Sequence, residues 1–143
     1  MRMNLIIKKT EQIMDTTLKH SEKRDAILRC LRDTDTHPTA GWLYEQLRRQ
    51  HAGISRATVY RNLAQLRAQG EIISVGSYGG FERFDGRTDP HSHFVCRRCG
   101  AVLDVDGVGP GQGLSRQAAG RLGAEIDGCW VLFSGVCAEC GSK

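Results

Sequence analysis

Four of the six cysteines in this chain of 143 residues form two C-x-x-C pairs, each followed by glycine. The pairs are Cys96-Arg97-Arg98-Cys99-Gly100 and Cys137-Ala138-Glu139-Cys140-Gly141. Two tight turns that hold four thiolates make a closed tetrahedral site, which suits Zn²⁺. A thioredoxin-like redox pair would instead lie in a βαβ setting, and two disulfides would need an oxidising compartment. The sequence therefore predicts a structural zinc ion, one per subunit, held by Cys96, Cys99, Cys137 and Cys140.

A second set of side chains combines imidazoles with carboxylates. His91 and His93 shortly precede the first cysteine pair, and alternate residues of an extended segment point to the same side. The other candidates are His37, Asp85 and Asp104. Such a mixed donor set favours Fe²⁺ or Mn²⁺, although Zn²⁺ also binds it. Two histidines beside a linker can equally be exposed polar residues. Because His37 and Asp85 lie upstream of the linker, a metal ion held by all five residues would join two parts of the chain and could regulate it.

Positive charge is concentrated in the first part of the chain. Residues 1–90 carry 15 Lys and Arg against 11 Asp and Glu, an excess of four, whereas residues 91–143 carry five of each. Arginine is the commonest reader of guanine, and the N–H groups of a helix N-terminus bind phosphate. We therefore predict double-stranded DNA as a partner; the alternative is a three-helix core with a solvated arginine face. The candidate contacts lie at the start of one predicted helix: Ser55, Arg56, Thr58, Tyr60 and Arg61.

These groups have to be positioned by helices in the first part of the chain and by strands in the second. Two short strands are predicted at 71–75 and 81–84, joined by a Gly-containing loop at 76–80. Three helices followed by such a hairpin indicate a winged helix that contains a helix-turn-helix. His37 precedes a proline and is expected to be extended. The helices are predicted from about Ser21 to Arg32, from a Thr39 cap to a stop at Gly53, and from Arg56 to Gln69 behind a Ser55 cap.

The chain is thus predicted to have an α+β fold with two domains. A winged-helix DNA-binding domain covers 1–85, a polar hinge covers 86–90, and a small α/β domain with the four-cysteine zinc site covers 91–143. We expect Cys30 in the core and Cys129 packed beside Trp130, and we assign no function to His20 or His51. No apolar run approaches the ~20 residues that cross a bilayer, and residues 1–13 do not form a signal peptide, so a cytoplasmic protein without a membrane partner is expected.

With these motifs taken together, the sequence resembles the ferric uptake regulator family from about Ser21 to Cys140. The resemblance implies a homodimer, formed through the second domain, that represses transcription by binding AT-rich inverted repeats when a metal ion is bound. The Gly-rich stretch at 107–113 departs from the family's usual pattern ahead of its dimerisation helix. The matching segments are His37-Pro38-Thr39, Ser55–Leu63, His91–Gly100 and Gly135–Cys140.

Within that family the chain is most similar to the peroxide-sensing branch. The iron-sensing branch usually has glutamate at the positions of Asp85 and Asp104, and its additional metal site would need ligands where Pro90, Ser92 and Cys129 stand. That additional site is therefore expected to be absent or remodelled. The zinc-sensing branch commonly adds a cysteine to the regulatory ligands, and no cysteine lies there. The positions that match the peroxide-sensing branch's regulatory ligands are His37, Asp85, His91, His93 and Asp104.

The resemblance also implies a signalling chemistry. Fe²⁺ in this ligand set lets peroxide oxidise His37 and His91, which would weaken metal binding and release DNA. Such oxidation is stoichiometric, so the chain is not expected to be an enzyme. Two alternatives remain: a repressor that responds to iron, manganese or zinc without sensing peroxide, and a zinc-containing structural module without specific DNA contacts.

Overall fold

The computed structural model describes residues 21–142 and begins with three helices. Helix α1 covers 21–32 of the described residues, α2 is Ala40–Leu47 and α3 is Arg56–Ala68. Ser21 is already helical, so the residue at which α1 begins lies outside the described residues. Apolar side chains at helical spacing pack the three helices together, among them Ile27, Leu43 and Leu63, each no more than 2% exposed. No helix in the described part of the chain has the length and apolar character to cross a membrane.

The predicted helix caps are confirmed, and one predicted helix end is wrong. The Thr39 side chain accepts a hydrogen bond from the Trp42 N–H, and the Ser55 side chain accepts one from the Thr58 N–H. Each cap therefore satisfies an N–H group that has no partner within its helix. Helix α2, however, ends at Leu47 rather than near Gly53. The Leu47 carbonyl accepts from two N–H groups, at 3.1 and 2.9 Å, in the turn that follows. These bonds tighten the chain and end the helix well before the glycine.

The predicted hairpin is present, but its connection is shorter than expected. Strands β1 (Ile73–Tyr78) and β2 (Phe81–Asp85) pair antiparallel. Only Gly79 and Gly80 connect them, with φ of +64° and +85°, as a two-residue turn with two positive φ angles requires. The predicted loop at 76–80 is wrong because β1 continues past a bulge between Ser74 and Gly76, and φ at Gly76 is +109°. The wing is therefore a continuous two-stranded ribbon.

The second half contains a three-stranded sheet and two helices. The elements are β3 (Ser92–Cys96), β4 (Val102–Val105), α4 (Gln112–Leu122), β5 (Leu132–Gly135) and α5 (Ala138–Gly141). The strand order is β4-β3-β5, with β4 antiparallel and β5 parallel to the central strand. The Gly-rich stretch at 107–113 runs into the N-terminus of α4, whose N-cap is Gly111. The parallel pairing of β3 with β5 brings the two ends of this half together.

Buried apolar side chains are distributed unequally between the halves. The main core cluster runs from Ala26 to Phe84 and includes the helices and the wing. Cys30 packs against it, as predicted. Cys129, in contrast, is exposed and Trp130 is 79% exposed, so the prediction that they pack is wrong. Both lie outside regular secondary structure. The indole ring lies against the backbone of Gly128 instead.

Gly86, the first residue of the predicted hinge, packs tightly against the end of α1. A Cβ atom added to Gly86 would lie 2.9 Å from the carbonyl carbon of Leu31 and 3.0 Å from the Arg32 nitrogen. Only glycine allows so close an approach of two backbones. The polar, Pro-containing segment predicted as a flexible connection is therefore seated against the first half at its first residue.

Candidate metal centres and nucleic-acid interface

The four cysteines of the two C-x-x-C pairs meet at one end of the second sheet. Cys96 ends β3 and Cys99 lies in the turn that follows it, while Cys137 caps α5 and Cys140 lies within it. The pairing of Cys96 with Gly135 brings the chain after β5 beside the first turn. The four sulfur atoms all lie within 4.8 Å of one another, and we call them the four-cysteine cluster.

The spacing in the four-cysteine cluster fits a tetrahedral metal ion. Sulfur atoms about 2.3 Å from a tetrahedral zinc are about 3.8 Å apart, and the Cys99 and Cys137 sulfurs are 3.8 Å apart. A disulfide requires about 2.05 Å, and the six cysteines are free thiols. Gly100, with φ of +73°, closes the first turn, and Arg98 links the turns by donating to the Cys140 carbonyl at 3.0 Å.

The thiols of Cys96 and Cys140 in the four-cysteine cluster differ in their pKa values. Backbone N–H groups of Cys99 and Cys137 lower the pKa of Cys96 to about 6. Hydrogen bonds with the Cys137 and Cys99 thiols raise the pKa of Cys140 to about 12. Four thiolates this close would repel one another, so they cannot all ionise without a cation between them. The donor set therefore fits a thiophilic divalent cation, whose binding displaces the remaining protons.

A second cluster takes its residues from both halves of the chain. His37 lies in the loop before α2 and Asp85 ends β2, whereas His91 precedes β3, His93 lies within β3 and Asp104 lies within β4. The antiparallel register pairs His93 with Asp104. One nitrogen or oxygen atom from each residue lies within 4.8 Å of the others, and we call this the His/Asp cluster. The five residues singled out from the sequence are thus together, and the rings of His91 and His93 lie on one side, with centroids 4.4 Å apart.

Backbone carbonyls orient two of the imidazoles. His37 Nδ1 lies 2.9 Å from the Val102 carbonyl oxygen, and His91 Nδ1 lies 2.7 Å from that of Asp89. Because a carbonyl only accepts, each Nδ1 carries the proton and each Nε2 presents a lone pair to the centre in the neutral ring. The carboxyl of Asp85 is 3.2 Å from the His37 Nε2 and 2.9 Å from the His91 Nε2. The Nε2 lone pairs and the Asp85 carboxylate oxygens are all hydrogen-bond acceptors, so they need a proton or a metal ion between them.

The protonation of the His/Asp cluster points to a cation at its centre. Burial disfavours imidazolium, but hydrogen bonds and charge from Asp85 and Asp104 outweigh it and raise the pKa of His37. The pKa of His91 is raised as well, because its bonds to Asp89 and Asp85 outweigh burial. Burial would raise the pKa of Asp85, yet hydrogen bonds from His37 and His93 hold it well below its usual range. A divalent ion would supply the same positive charge without these protons, and three nitrogens with two carboxylates suit Fe²⁺ or Mn²⁺.

Sequence reasoning missed the direct hydrogen bonds that connect the two halves beside the His/Asp cluster. The His37 bond to Val102 crosses from the first half to β4. Arg83 of the wing donates to the backbone carbonyls of His37, Thr36 and Gly100, and the last of these lies in the second half. An arginine in an alternating strand would be read as solvent-exposed, so its role could not be found from the pattern.

The backbone of His37 differs from the prediction. Its φ is +53°, in the left-handed region, rather than extended as its position before a proline suggested. This conformation is uncommon for a residue with a Cβ and costs on the order of 1–3 kcal/mol. Bonds to both ring nitrogens and to the carbonyl hold it in place. Strain of this kind at a buried histidine is typical of a functional site.

The candidate nucleic-acid interface is the exposed face of α3. Ser55, Arg56, Tyr60 and Arg61 are exposed, as predicted. Thr58 is only 6% exposed, so the prediction that it faces outward is wrong. Its hydroxyl lies 2.9 Å from the Ser55 hydroxyl and belongs to the helix cap.

Helix α2 supports this face. The Arg56 guanidinium stacks over the Tyr44 ring, 4.7 Å from the ring centroid, and lies 3.7 Å from a Glu45 carboxylate oxygen. Stacking on an aromatic ring holds an arginine ready to bind an anion. Tyr44 was not identified from the sequence, because one tyrosine on an amphipathic helix carries no distinguishing signal.

The comparisons with known proteins agree with these features. Residues 15–119 match the model of the ferric uptake regulator family. The chain is 32% identical over 133 residues to the Peroxide operon regulator of Bacillus subtilis (strain 168), covering 93% of this chain and 91% of that protein. It is 33% identical over 127 residues to the Peroxide-responsive repressor PerR of Staphylococcus aureus (strain Mu50 / ATCC 700699), covering 88% of this chain and 84% of the repressor.

Solved structures agree on the fold. A Campylobacter jejuni peroxide stress regulator superposes with a TM-score of 0.75 at 24% identity, covering 92% of this chain and 98% of that one. The Vibrio cholerae ferric uptake regulator superposes with a TM-score of 0.62 at 27% identity, covering 80% and 88%. The two ligand clusters, the winged helix and these matches lead to one conclusion. The chain belongs to the ferric uptake regulator family of metal-responsive repressors.

Proposed function

We propose that this protein is a peroxide-sensing transcriptional repressor whose regulatory metal ion joins its two halves. The observation that carries the proposal is the His/Asp cluster. His37 and Asp85 come from the winged-helix half, and the three other members come from the second half. A metal ion bound by both sets favours one arrangement of the DNA-binding heads. The metal ion binds this arrangement more tightly than any other arrangement of the heads. It can raise the affinity for DNA by no more than that ratio of metal affinities.

The two clusters have different roles in this proposal. The four-cysteine cluster holds one structural Zn²⁺ per subunit, because its ligands all come from the second half and their sulfurs suit a closed tetrahedral site. The His/Asp cluster holds one Fe²⁺ or Mn²⁺ per subunit. The proposed domains are a winged-helix DNA-binding domain at 1–85, a hinge at 86–90, and a metal-binding dimerisation domain at 91–143.

The signal is proposed to be peroxide. Fe²⁺ held by the His/Asp cluster would supply the redox chemistry that activates peroxide, without being consumed in the net reaction. In the net reaction, H₂O₂ oxidises a ring C–H of His37 or His91, so that the imidazole gains one oxygen atom and water is released. An oxidised ring is a poorer ligand and lets the heads open. The names of the Bacillus and Staphylococcus relatives favour this signal over a peroxide-insensitive response to iron, manganese or zinc. Because each event consumes a ligand, the protein is a sensor and not an enzyme.

The proposed active form is a homodimer on double-stranded DNA in the cytoplasm. Exposed apolar side chains of the second half favour contact with a second copy of the chain. Two heads related by a two-fold axis match an AT-rich inverted repeat. Proposed contacts from each head are Ser55, Arg56, Tyr60 and Arg61; Thr58 would act by positioning Ser55. The apolar side chains concerned are Leu103, Leu114, Leu122, Leu132 and Phe133, each more than 40% exposed.

Footprinting on AT-rich inverted repeats tests the proposal. We expect protection with Fe²⁺ or Mn²⁺ and none without a regulatory metal ion. Brief peroxide should remove protection from the Fe²⁺ form and leave the Mn²⁺ form bound, since Mn²⁺ reacts poorly with peroxide in such a ligand set. Protection that survives peroxide in both forms would support a peroxide-insensitive metal sensor. No sequence-selective protection under any condition would favour a zinc-containing interaction module.

A further inference from the structure

The five members of the His/Asp cluster differ in their access to solvent. The side chains of His37 and His91 are 1% and 2% exposed, and those of His93 and Asp85 are each 7% exposed. Asp104 is 22% exposed and is therefore the member that solvent reaches most easily. An ion that enters or leaves the cluster without unfolding of the site would pass on the Asp104 side.

A cavity of about 600 Å³ opens on that side of the cluster. Asp85 and Asp104 form part of its wall, together with Gly86 and Arg87 of the hinge, and residues 31–35 at the end of α1 form the opposite wall. The cavity therefore leads from solvent to the two carboxylates of the cluster. It is large enough for a hydrated divalent ion or for peroxide.

Arg87 lines this cavity and pairs with three carboxylates. Its Nη1 lies 2.6 Å from Asp106 Oδ1 and 3.7 Å from Asp104 Oδ2. Its Nε and Nη2 donate to Asp89, at distances between 2.8 and 3.0 Å. Asp89 lies in the hinge and Asp106 follows β4, so the guanidinium bridges the hinge and the sheet beside Asp104. The other oxygen of Asp104, Oδ1, faces the histidines, 2.7 Å from His37 Nε2.

We infer that Arg87 is a gate over the His/Asp cluster, which sets how fast the regulatory metal ion enters and leaves. This inference rests on the proposed function, because it requires that the cluster bind a metal ion. The planar guanidinium is a rigid fork with donors on several edges, so it can hold carboxylates of the hinge and of the sheet at the same time. It covers Asp104 from the solvent side while leaving Oδ1 free for the metal ion. Opening requires only that one exposed side chain exchange its partners.

A simpler role for Arg87 makes the opposite prediction for release. If Arg87 acted only as a positive charge near a cation, its removal would strengthen metal binding, so the dissociation rate constant would fall or stay the same. A gate, in contrast, slows both directions of exchange. Its removal should raise the association and the dissociation rate constants together and leave the equilibrium constant less changed than either. The dissociation rate constant therefore separates the two roles.

The experiment uses the full-length, zinc-loaded protein with Mn²⁺ in the His/Asp cluster. The protein is mixed with excess chelator, and electron paramagnetic resonance follows the release of Mn²⁺. Arg87→Ala and Arg87→Gln should each release Mn²⁺ roughly fivefold faster than the unchanged protein, the factor expected on losing a partly exposed ion-pair network. Arg32→Ala is the matched control, because Arg32 lines the same cavity but pairs with Glu71, at 2.8 Å, and not with Asp104. It should release Mn²⁺ at the unchanged rate. Zinc content is measured on every sample.

The outcomes separate the gate from the proposed function. Release from both Arg87 variants at or below the unchanged rate overturns the gate and leaves the metal site intact. Equal acceleration by Arg32→Ala also overturns it, because loss of charge or bulk anywhere in the cavity would then suffice. If the unchanged protein binds no Mn²⁺ that His37→Ala removes, the proposed function fails, and the gate fails with it.

Discussion

The two halves of the described chain are held together by different means. The first half has a continuous core of twelve buried apolar residues, from Ala26 to Phe84. In the second half, the buried apolar side chains are Cys96 and Val102, and one of these is a candidate metal ligand. So small a core cannot offset the entropy lost on ordering about 50 residues. We therefore expect the second half to depend on a metal ion and on a partner surface for what the first half gains from packing.

The unequal cores of the two halves explain why one cluster lies within the second half and the other lies between the halves. The four-cysteine cluster lies wholly in the half that lacks a core, where a bound metal ion contributes directly to folding. The His/Asp cluster takes residues from both halves and lies where they meet. A metal ion there adds little to a half that is already packed, but it fixes one half against the other. In the proposed account, the same chain thus uses one site to build a domain and another to join two domains.

The largest expected effect comes from removing a cysteine ligand. Cys137→Ser should abolish zinc binding and unfold or dissociate the second half, while the first half keeps its helical core. Zinc analysis, circular dichroism and sedimentation measure the three effects. Cys129→Ser is the matched control, since Cys129 is exposed and lies outside the cluster. A Cys137 variant that stays zinc-loaded and dimeric would show that the second half does not depend on this metal ion.

Removing a ligand from the His/Asp cluster, where the two halves meet, should leave both halves folded. It should also remove the effect of metal binding on DNA binding. His37→Ala should keep its zinc but lose the stimulation of DNA binding by Mn²⁺, a coupling that is typically about 5–150-fold. Fluorescence anisotropy on an inverted-repeat DNA measures the coupling, with His51→Ala, a histidine of the same half outside the cluster, as control. Full stimulation in the His37 variant would remove that residue from the regulatory site.

A change confined to the first half should affect DNA affinity alone. Arg61→Ala should weaken operator binding by about 1–3 kcal/mol, because one base-edge or phosphate contact is lost. Metal content and thermal stability should not change, since Arg61 is exposed and its side-chain contact with Thr58 is long, at 3.4 Å. Arg116→Ala, on the exposed surface of α4, serves as control. Unchanged affinity for a specific operator would show that Arg61 lies outside the interface.

The smallest expected effect is a dependence of Mn²⁺ affinity at the His/Asp cluster on pH. The pKa values of His37 and His91 are raised above their ordinary value of 6.5, so protons compete with the metal ion near neutral pH. Apparent Mn²⁺ affinity should be full at high pH and fall as the pH drops through these raised values, by about tenfold per pH unit for each proton displaced. Calorimetry in buffers of different ionisation enthalpy would detect the released protons. Mn²⁺ affinity that does not change across this range would contradict histidine ligation.

The sequence predicted what depends on local pattern and missed what depends on tertiary contacts. Paired C-x-x-C turns and helix caps are local, so the four-cysteine cluster and the Thr39 and Ser55 caps could be predicted. His37 and Asp85 are 48 residues apart; their residue types made them candidate ligands, but no spacing rule placed them beside the histidines of the second half. Threonine is a residue type that often contacts DNA, but the Thr58 hydroxyl hydrogen bonds within its own helix cap. No local rule indicates that a hinge arginine will meet three carboxylates.

Mass spectrometry of the peroxide-treated Fe²⁺ form on DNA tests the central claim most directly, because it identifies which of the two clusters senses peroxide. Brief exposure should release the DNA and add one oxygen atom to the peptide that holds His37 or His91, with the four cysteines unchanged and zinc retained. The Mn²⁺ form, treated in parallel, should keep both its DNA and its unmodified histidines. Release of DNA with both histidines unmodified and the cysteines oxidised would contradict the account, and would identify the four-cysteine cluster as the sensor.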